Sequence, residues 1–191
     1  MMTRPQRNLL LILSPVAVLW LVLRSVPWSV GRWVGLAFLL AGIALVLIGR
    51  DFLIGRYRMR CTDWRRAIDR FRRFERRLES PAWSTLLLPV YCSLYSLDGI
   101  AVARNNIAVC LMNLKSFDEA EGWLRSALRR DPLYALAYVN LGTIAALRGD
   151  EMRARRELQR AVDLGYSASG AQLLMRKALA RANELAGKTL E

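Results

Sequence analysis

The sequence predicts an all-α protein, with an N-terminal hairpin of two transmembrane helices over residues 1–49 and then a helical-repeat domain of the α-solenoid type closed by a capping helix. Two observations lead to this prediction. Two long stretches before Arg50 carry no charged residue. Further along, residues 101–134 match residues 135–168 at an offset of 34 residues, a period typical of helix-turn-helix solenoids.

The two charge-free stretches have the composition of membrane spans. They predict transmembrane helices at about residues 9–28 and about residues 30–49, each rich in Leu, Val, Ala and Ile. A helix of about 20 residues crosses a hydrocarbon core about 30 Å thick. Pro27 and Gly31 mark the tight connection between the two helices.

A cleavable signal peptide is the main alternative for the first stretch. Arg4 and Arg7 precede a short apolar run, as in the charged and hydrophobic regions of such peptides. No small-x-small cleavage pattern follows Leu23, however, and a second apolar stretch comes almost at once. A pair of buried helices in a soluble domain is also disfavoured, because neither stretch has a polar face.

Arginine counts predict the orientation of the hairpin. Two arginines precede the first span, two lie in the connection, and eleven follow between residues 50 and 79. Since positive residues are retained in the cytoplasm, we expect a multi-pass protein of the inner (cytoplasmic) membrane with both termini cytoplasmic. That compartment also suits three unpaired cysteines.

Composition argues against several classes of function. The chain has no histidine, and its three cysteines are widely spaced, so we expect no metal site, no cofactor and no enzymatic activity. The net charge of +13 is concentrated in residues 50–79, where eleven arginines face five acids. Because this excess adjoins the predicted membrane, anionic lipid headgroups explain it better than nucleic acid, which we do not expect as a partner.

Residues 50–97 are predicted to join the hairpin to the repeats. An amphipathic helix is predicted for residues 62–79, which read TDWRRAIDRFRRFERRLE. Its aromatic stripe permits two interpretations: a helix lying on the membrane surface, or the first helix of the domain core. The basic residues predicted at the membrane surface are Arg56, Arg58, Arg60, Arg65, Arg66, Arg72, Arg73, Arg76 and Arg77. The uncharged residues 81–97 are predicted as a buried or groove-lining segment, with a third membrane segment as the alternative.

The repeats occupy residues 98–191. Small residues recur where two antiparallel helices approach closely, and large apolar residues recur between them. The matching positions are Ile107, Ala108, Leu111, Phe117, Ala120, Leu124, Ala127 and Pro132 in the first repeat, and Tyr138, Leu141, Gly142, Gly149, Asp150, Ala154, Leu158 and Ala161 in the second. This part resembles the tetratricopeptide-repeat (TPR) family over about two repeats. Residues 168–187 look like its capping helix. Residues 63–74 resemble the second helix of a further, degenerate repeat.

The resemblance implies a protein-binding module, because the first helices of such repeats line a concave groove. By position, the groove residues are Val102, Asn105, Asn106, Val109, Met112, Asn113, Leu136, Val139, Asn140, Thr143 and Leu147. The positions with which some members clamp a terminal carboxylate hold Val109, Gly170 and Leu174 instead. We therefore expect a membrane-anchored scaffold that binds a protein partner at the cytoplasmic face, such as an assembly factor for an envelope complex. The alternative is binding of anionic lipid, with nucleic acid the weaker choice, through Arg50–Arg77.

Overall fold

The structure is a computed structural model that describes residues 6, 27–80, 93 and 95–187. Over these residues the prediction of an all-α protein is confirmed, with eight helices and no strand. The helices are α1 (Trp28–Ile48), α2 (Arg50–Arg60), α3 (Trp64–Leu78), α4 (Gly99–Asn113), α5 (Phe117–Arg130), α6 (Ala135–Leu147), α7 (Glu151–Asp163) and α8 (Ala168–Gly187).

Helix α1 covers the second predicted span, and most of its large apolar side chains are exposed, with Trp33 at 69%. By length and composition, no single helix in the described part of the chain is long and apolar enough to cross a membrane. A bent pair, Trp33–Ile48 with Arg50–Arg60 at 61°, reaches that size only when the two helices are taken together. The first predicted span lies outside the described residues except at 27 and 28.

Helices α2 to α7 form three helix hairpins with the same turn. In each turn the middle residue adopts a left-handed backbone: Thr62 at φ 57°, Lys115 at φ 62° and Gly149 at φ 78°. The residue after it donates its backbone N–H to a carbonyl five residues earlier, closing the first helix of the hairpin in the same way each time. The hairpin α2–α3 therefore repeats the geometry of the two hairpins that the 34-residue period predicts.

Equivalent positions in the three hairpins also hold equivalent packing. A small residue lies seven positions before the left-handed residue of each turn: Gly55, Ala108 and Gly142. A large buried residue lies nine positions after it: Phe71, Leu124 and Leu158. A Cβ on Gly55 would come within 2.8 Å of Phe71 Cε1, and one on Gly142 within 2.8 Å of Leu158 Cγ. Both glycines are needed because the facing side chain fills the space that a Cβ would occupy.

The aromatic stripe of α3 lies inside the protein. Phe71 and Phe74 are fully buried, and the Phe71 ring packs edge-on against Phe52 of α2 at 5.8 Å between centroids. Both belong to the same core cluster as Ile107 and Leu124 of the next hairpin. The structure therefore supports the second interpretation of residues 62–79, a helix of the domain core. Rings that are buried in this core cannot lie on a membrane surface.

Ion pairs join helices both within a hairpin and between neighbouring hairpins. Asp51 at the start of α2 is buried and pairs with Arg70 at 2.9 Å and Arg77 at 3.4 Å. Arg104 of α4, which takes the place of the aromatic residue usual in these repeats, reaches back to Glu75 of α3 at 2.7 Å. A buried charge needs such partners, because its desolvation is otherwise costly.

A third cluster of charges surrounds Glu121 of α5, which is buried and accepts hydrogen bonds from arginines of the following hairpin. These are Arg148 at 2.9 Å and Arg153 of α7. Arg125, one turn along α5, also pairs with this carboxylate at 2.6 Å. The Arg153 guanidinium, which donates a hydrogen bond to it, holds the pKa of Glu121 below its ordinary value. The carboxylate therefore stays ionised and joins α5 to α7.

The interval between successive hairpins is longest where residues 81–97 lie. The hairpins begin at Arg50, Gly99 and Ala135, and α8 begins at Ala168. Most of the inserted segment lies outside the described residues, so the alternative of a third membrane segment falls there too. Its end is fixed by Ser96, which is buried and donates a hydrogen bond to Asp131 Oδ2 at 2.6 Å.

Candidate partner-binding groove

Residues of the first helices of the three hairpins, α2, α4 and α6, line one open cavity of about 380 Å³. The cavity combines apolar walls with hydrogen-bonding side chains, as binding sites commonly do. Its lining residues are Phe52, Arg56, Met59, Arg60, Ser93, Val102, Asn105, Asn106, Tyr134 and Leu136. We call this cavity and its lining the groove.

Four of the predicted groove residues line this cavity: Val102, Asn105, Asn106 and Leu136. The others lie further along the same helices. Val139 is buried in a second core cluster. Val109, Met112 and Leu147 are half-buried. The side chains of Asn113 and Thr143 donate hydrogen bonds within their own helices, to the carbonyls of Val109 and Val139 respectively. The predicted set is therefore only partly brought together.

Two asparagines from neighbouring hairpins meet at the groove. Asn140 Nδ2 of α6 donates a hydrogen bond to Asn105 Oδ1 of α4 at 2.8 Å, and Asn105 is only 4% exposed. Within the described residues, the Asn105 amide N–H groups and the Asn140 side-chain oxygen have no partner. A peptide backbone offers the complementary acceptor and donor.

Arg56 and Arg60 of α2 also line the groove, although the sequence analysis assigned them to the membrane surface. Counted from the turn residue Thr62, Arg56 takes the position of Val109 in the next hairpin, and Arg60 that of Asn113. Aligning the first hairpin with the second by its turn residue would have predicted from the sequence that both arginines lie on the groove side. Both side chains are exposed, and neither pairs with an acid in the described part of the chain.

The remaining predicted basic residues lie outside the groove, and several are paired. Arg58 and Arg66 pair with Asp63, Arg72 with Glu119 and Arg77 with Asp51. By contrast, Arg65, Arg73 and Arg76 are exposed on the outer face of α3 and have no partner among the described residues. Whether any of these residues contacts a membrane stays a prediction.

Tyr134 lines the groove and is almost completely buried. The residue is 1% exposed, and its hydroxyl makes no hydrogen bond within residues 95–187 or the other described residues. Burial, reinforced by the negative charge of Asp131, raises the pKa of Tyr134 well above its ordinary value. The phenol therefore remains protonated at physiological pH and is available as a hydrogen-bond donor.

A second cavity of about 480 Å³ lies between α7 and α8. In an extended array, a further helix would pack against the small position of α8. That position holds the exposed Arg176, equivalent to Gly142 in α6. A helix could not approach as closely over an arginine. Whether α8 is a capping helix stays a prediction.

Residues 97–168 match the family model described as Coatomer epsilon subunit, a family of TPR-like helical repeats. The chain is similar to that family over its repeats. The match runs from just before α4 to the first residue of α8 and omits α2 and α3. It supports the predicted helical-repeat fold. No curated protein matches the chain.

Proposed function

We propose that the protein is a membrane-held adaptor that binds another protein in the groove. The observation that carries this proposal is the cavity enclosed by three successive first helices, with an asparagine pair whose remaining donor and acceptor suit a peptide backbone. Similarity to a family of helical repeats supports a protein-binding adaptor. Since two to three repeats offer a modest interface, we expect affinity in the micromolar range.

Replacing Asn140 tests the groove. Asn140 is half-buried, so Asn140→Ala removes a groove amide without opening a large void. We expect partner recovery in a quantitative pull-down from native membranes to fall about fivefold to tenfold, the effect of losing a hydrogen bond worth about 1 kcal/mol. Asn113→Ala is the matched control, because this exposed asparagine bonds within its own helix. Equal recovery with both variants would remove the groove from the proposed function.

Support for attachment to a membrane comes from α1. Nine large apolar residues of this helix are exposed, from Val30 to Leu47, and such a surface is typical of contact with lipid or protein. We propose that α1 and the preceding apolar stretch anchor the chain in the inner membrane, with the groove on the cytoplasmic side. The location of the groove relative to the membrane can be tested through Cys61, which is exposed at the end of α2.

A membrane-impermeant maleimide tests this topology in a Cys92→Ser background. We expect Cys61 to react only after the inner membrane is permeabilised, and a Cys61→Ser variant to show no such reaction. Labelling of intact spheroplasts would place the groove on the opposite side. Release of the chain by carbonate extraction would refute integral anchoring.

Binding of anionic lipid is a second candidate function, favoured by Arg65, Arg73 and Arg76 on the outer face of α3. We expect the triple Gln variant to weaken flotation with phosphatidylserine vesicles, because each basic residue near such a surface contributes about 1 kcal/mol. Phosphatidylcholine vesicles are the control. Equal flotation of the parent protein with both vesicle types would exclude the electrostatic role.

A further inference from the structure

We infer that the groove recognises an acidic side chain within an extended segment of the partner. This inference rests on the proposed function and names the chemistry of the ligand. It is carried by the charges and donors that line the groove.

The groove has a one-sided charge. Arg56 and Arg60 lie one turn apart on α2, and the described residues that line the cavity include no carboxylate. Arginines elsewhere in the fold, such as Arg70 and Arg104, form ion pairs with buried or half-buried acids. Two guanidinium groups left together on a concave wall make a positive field that favours an anion.

The buried Tyr134 hydroxyl also favours an acidic ligand. A hydroxyl removed from water without a partner is unfavourable, and few such groups occur in folded proteins. The protonated phenol can donate a hydrogen bond to an acceptor brought into the cavity. A carboxylate has about four acceptor sites, enough for an arginine fork and a phenol together.

The apolar walls favour an amino-acid side chain in a peptide over a free anion or a lipid headgroup. Phe52, Met59, Val102 and Leu136 line the same cavity as the arginines, and the asparagine pair lies beside them. A peptide satisfies all three features, with an apolar neighbour against the walls and backbone groups on the asparagines. A phosphate headgroup satisfies only the charges.

Photo-crosslinking in native membranes tests the inference with the full chain. We would place p-benzoylphenylalanine at position 136, irradiate, and sequence the crosslinked segment by mass spectrometry. We expect an acidic residue within a few positions of the crosslink. We expect Arg56→Glu with Arg60→Glu to reduce the crosslinked product by at least about tenfold, the factor that corresponds to 1.4 kcal/mol. Arg129→Glu with Arg176→Glu is the matched control, because these two arginines are exposed and lie outside both the groove and the outer face of α3.

Charge exchange then separates a direct contact from a loss of folding. Changing the captured acidic residue to Arg should restore crosslinking to the Arg56→Glu, Arg60→Glu variant and reduce it with the parent protein. A protein crosslink that is equally strong with the reversed charges would overturn the acidic-ligand inference and leave the proposed adaptor function standing. A product containing only lipid, or no protein product at all, would overturn both.

Discussion

Truncating Phe71 gives the sharpest test of whether α2 and α3 belong to the repeat core. The ring is fully buried, lies edge-on to Phe52, and faces Gly55 so closely that no Cβ fits between them. Because a glycine has no side chain with which to fill the void, Phe71→Ala should cost the upper part of the usual range for such changes, about 4–5 kcal/mol. A stripe lying on a membrane surface would make no comparable contribution to folding.

Cys110 of α4 provides the assay, since it is buried in the same core cluster and is in the next hairpin along the chain. Burial raises the pKa of its thiol to about 12, so labelling requires the core to open. We would follow thiol labelling in a Cys61→Ser, Cys92→Ser background. When closing is faster than labelling, the labelling rate follows the open population, and 4–5 kcal/mol corresponds to an increase of about one thousandfold to four thousandfold.

Phe38→Ala is the matched control, because this phenylalanine of α1 is 49% exposed. Its labelling rate should stay within about threefold of the parent protein, as expected for surface changes. An equally small effect of Phe71→Ala would refute the shared core and return α3 to the membrane-surface interpretation.

Three further changes test the repeat geometry. Gly142→Ala should lower the free energy of unfolding by about 1–3 kcal/mol in urea titration, because the new Cβ would overlap Leu158. Glu121→Gln should cost about 2 kcal/mol at pH 7. Arg153 lowers the pKa of Glu121 in the folded state. The difference in unfolding free energy between the variant and the parent protein should therefore persist above the ordinary pKa of 4.5 and vanish as the pH falls through the lowered pKa. A difference in unfolding free energy that stays constant down to pH 3 would contradict this. Thr62→Gly should stabilise the chain by up to about 1 kcal/mol, since a β-branched residue is strained at φ 57°; destabilisation in the same titration would show that the turn tolerates threonine without strain.

The sequence predicted the two hairpins α4–α5 and α6–α7 because their small and large apolar residues recur at a constant offset. It predicted α2–α3 only weakly, because local signals obscure that hairpin. Its turn has Thr62 where the last hairpin has Gly149, and only Gly49 separates its first helix from the long apolar stretch. The packing of Phe71 against Gly55 is a tertiary feature, and it overrides the weak turn propensity of threonine.

The same limitation explains the assignment of Arg56 and Arg60. Counting charge over residues 50–79 treats all eleven arginines alike, whereas register separates those on the groove from those on the outer face of α3. The asparagine pair was partly predictable, since Asn105 and Asn140 both fall on first helices. Their mutual hydrogen bond was not, because it depends on how far neighbouring hairpins rotate against each other.

The junction between α1 and the array determines how the groove is presented. Only Gly49 separates α1 from α2, Leu45 and Ile48 pack against the core, and Arg77 donates a hydrogen bond to the Ile48 carbonyl. A flexible linker would let the groove sample many orientations, whereas this junction fixes it to α1. In the proposed function, a partner held by the same membrane would then meet the arginine end of the groove at high effective concentration, and a micromolar site would suffice.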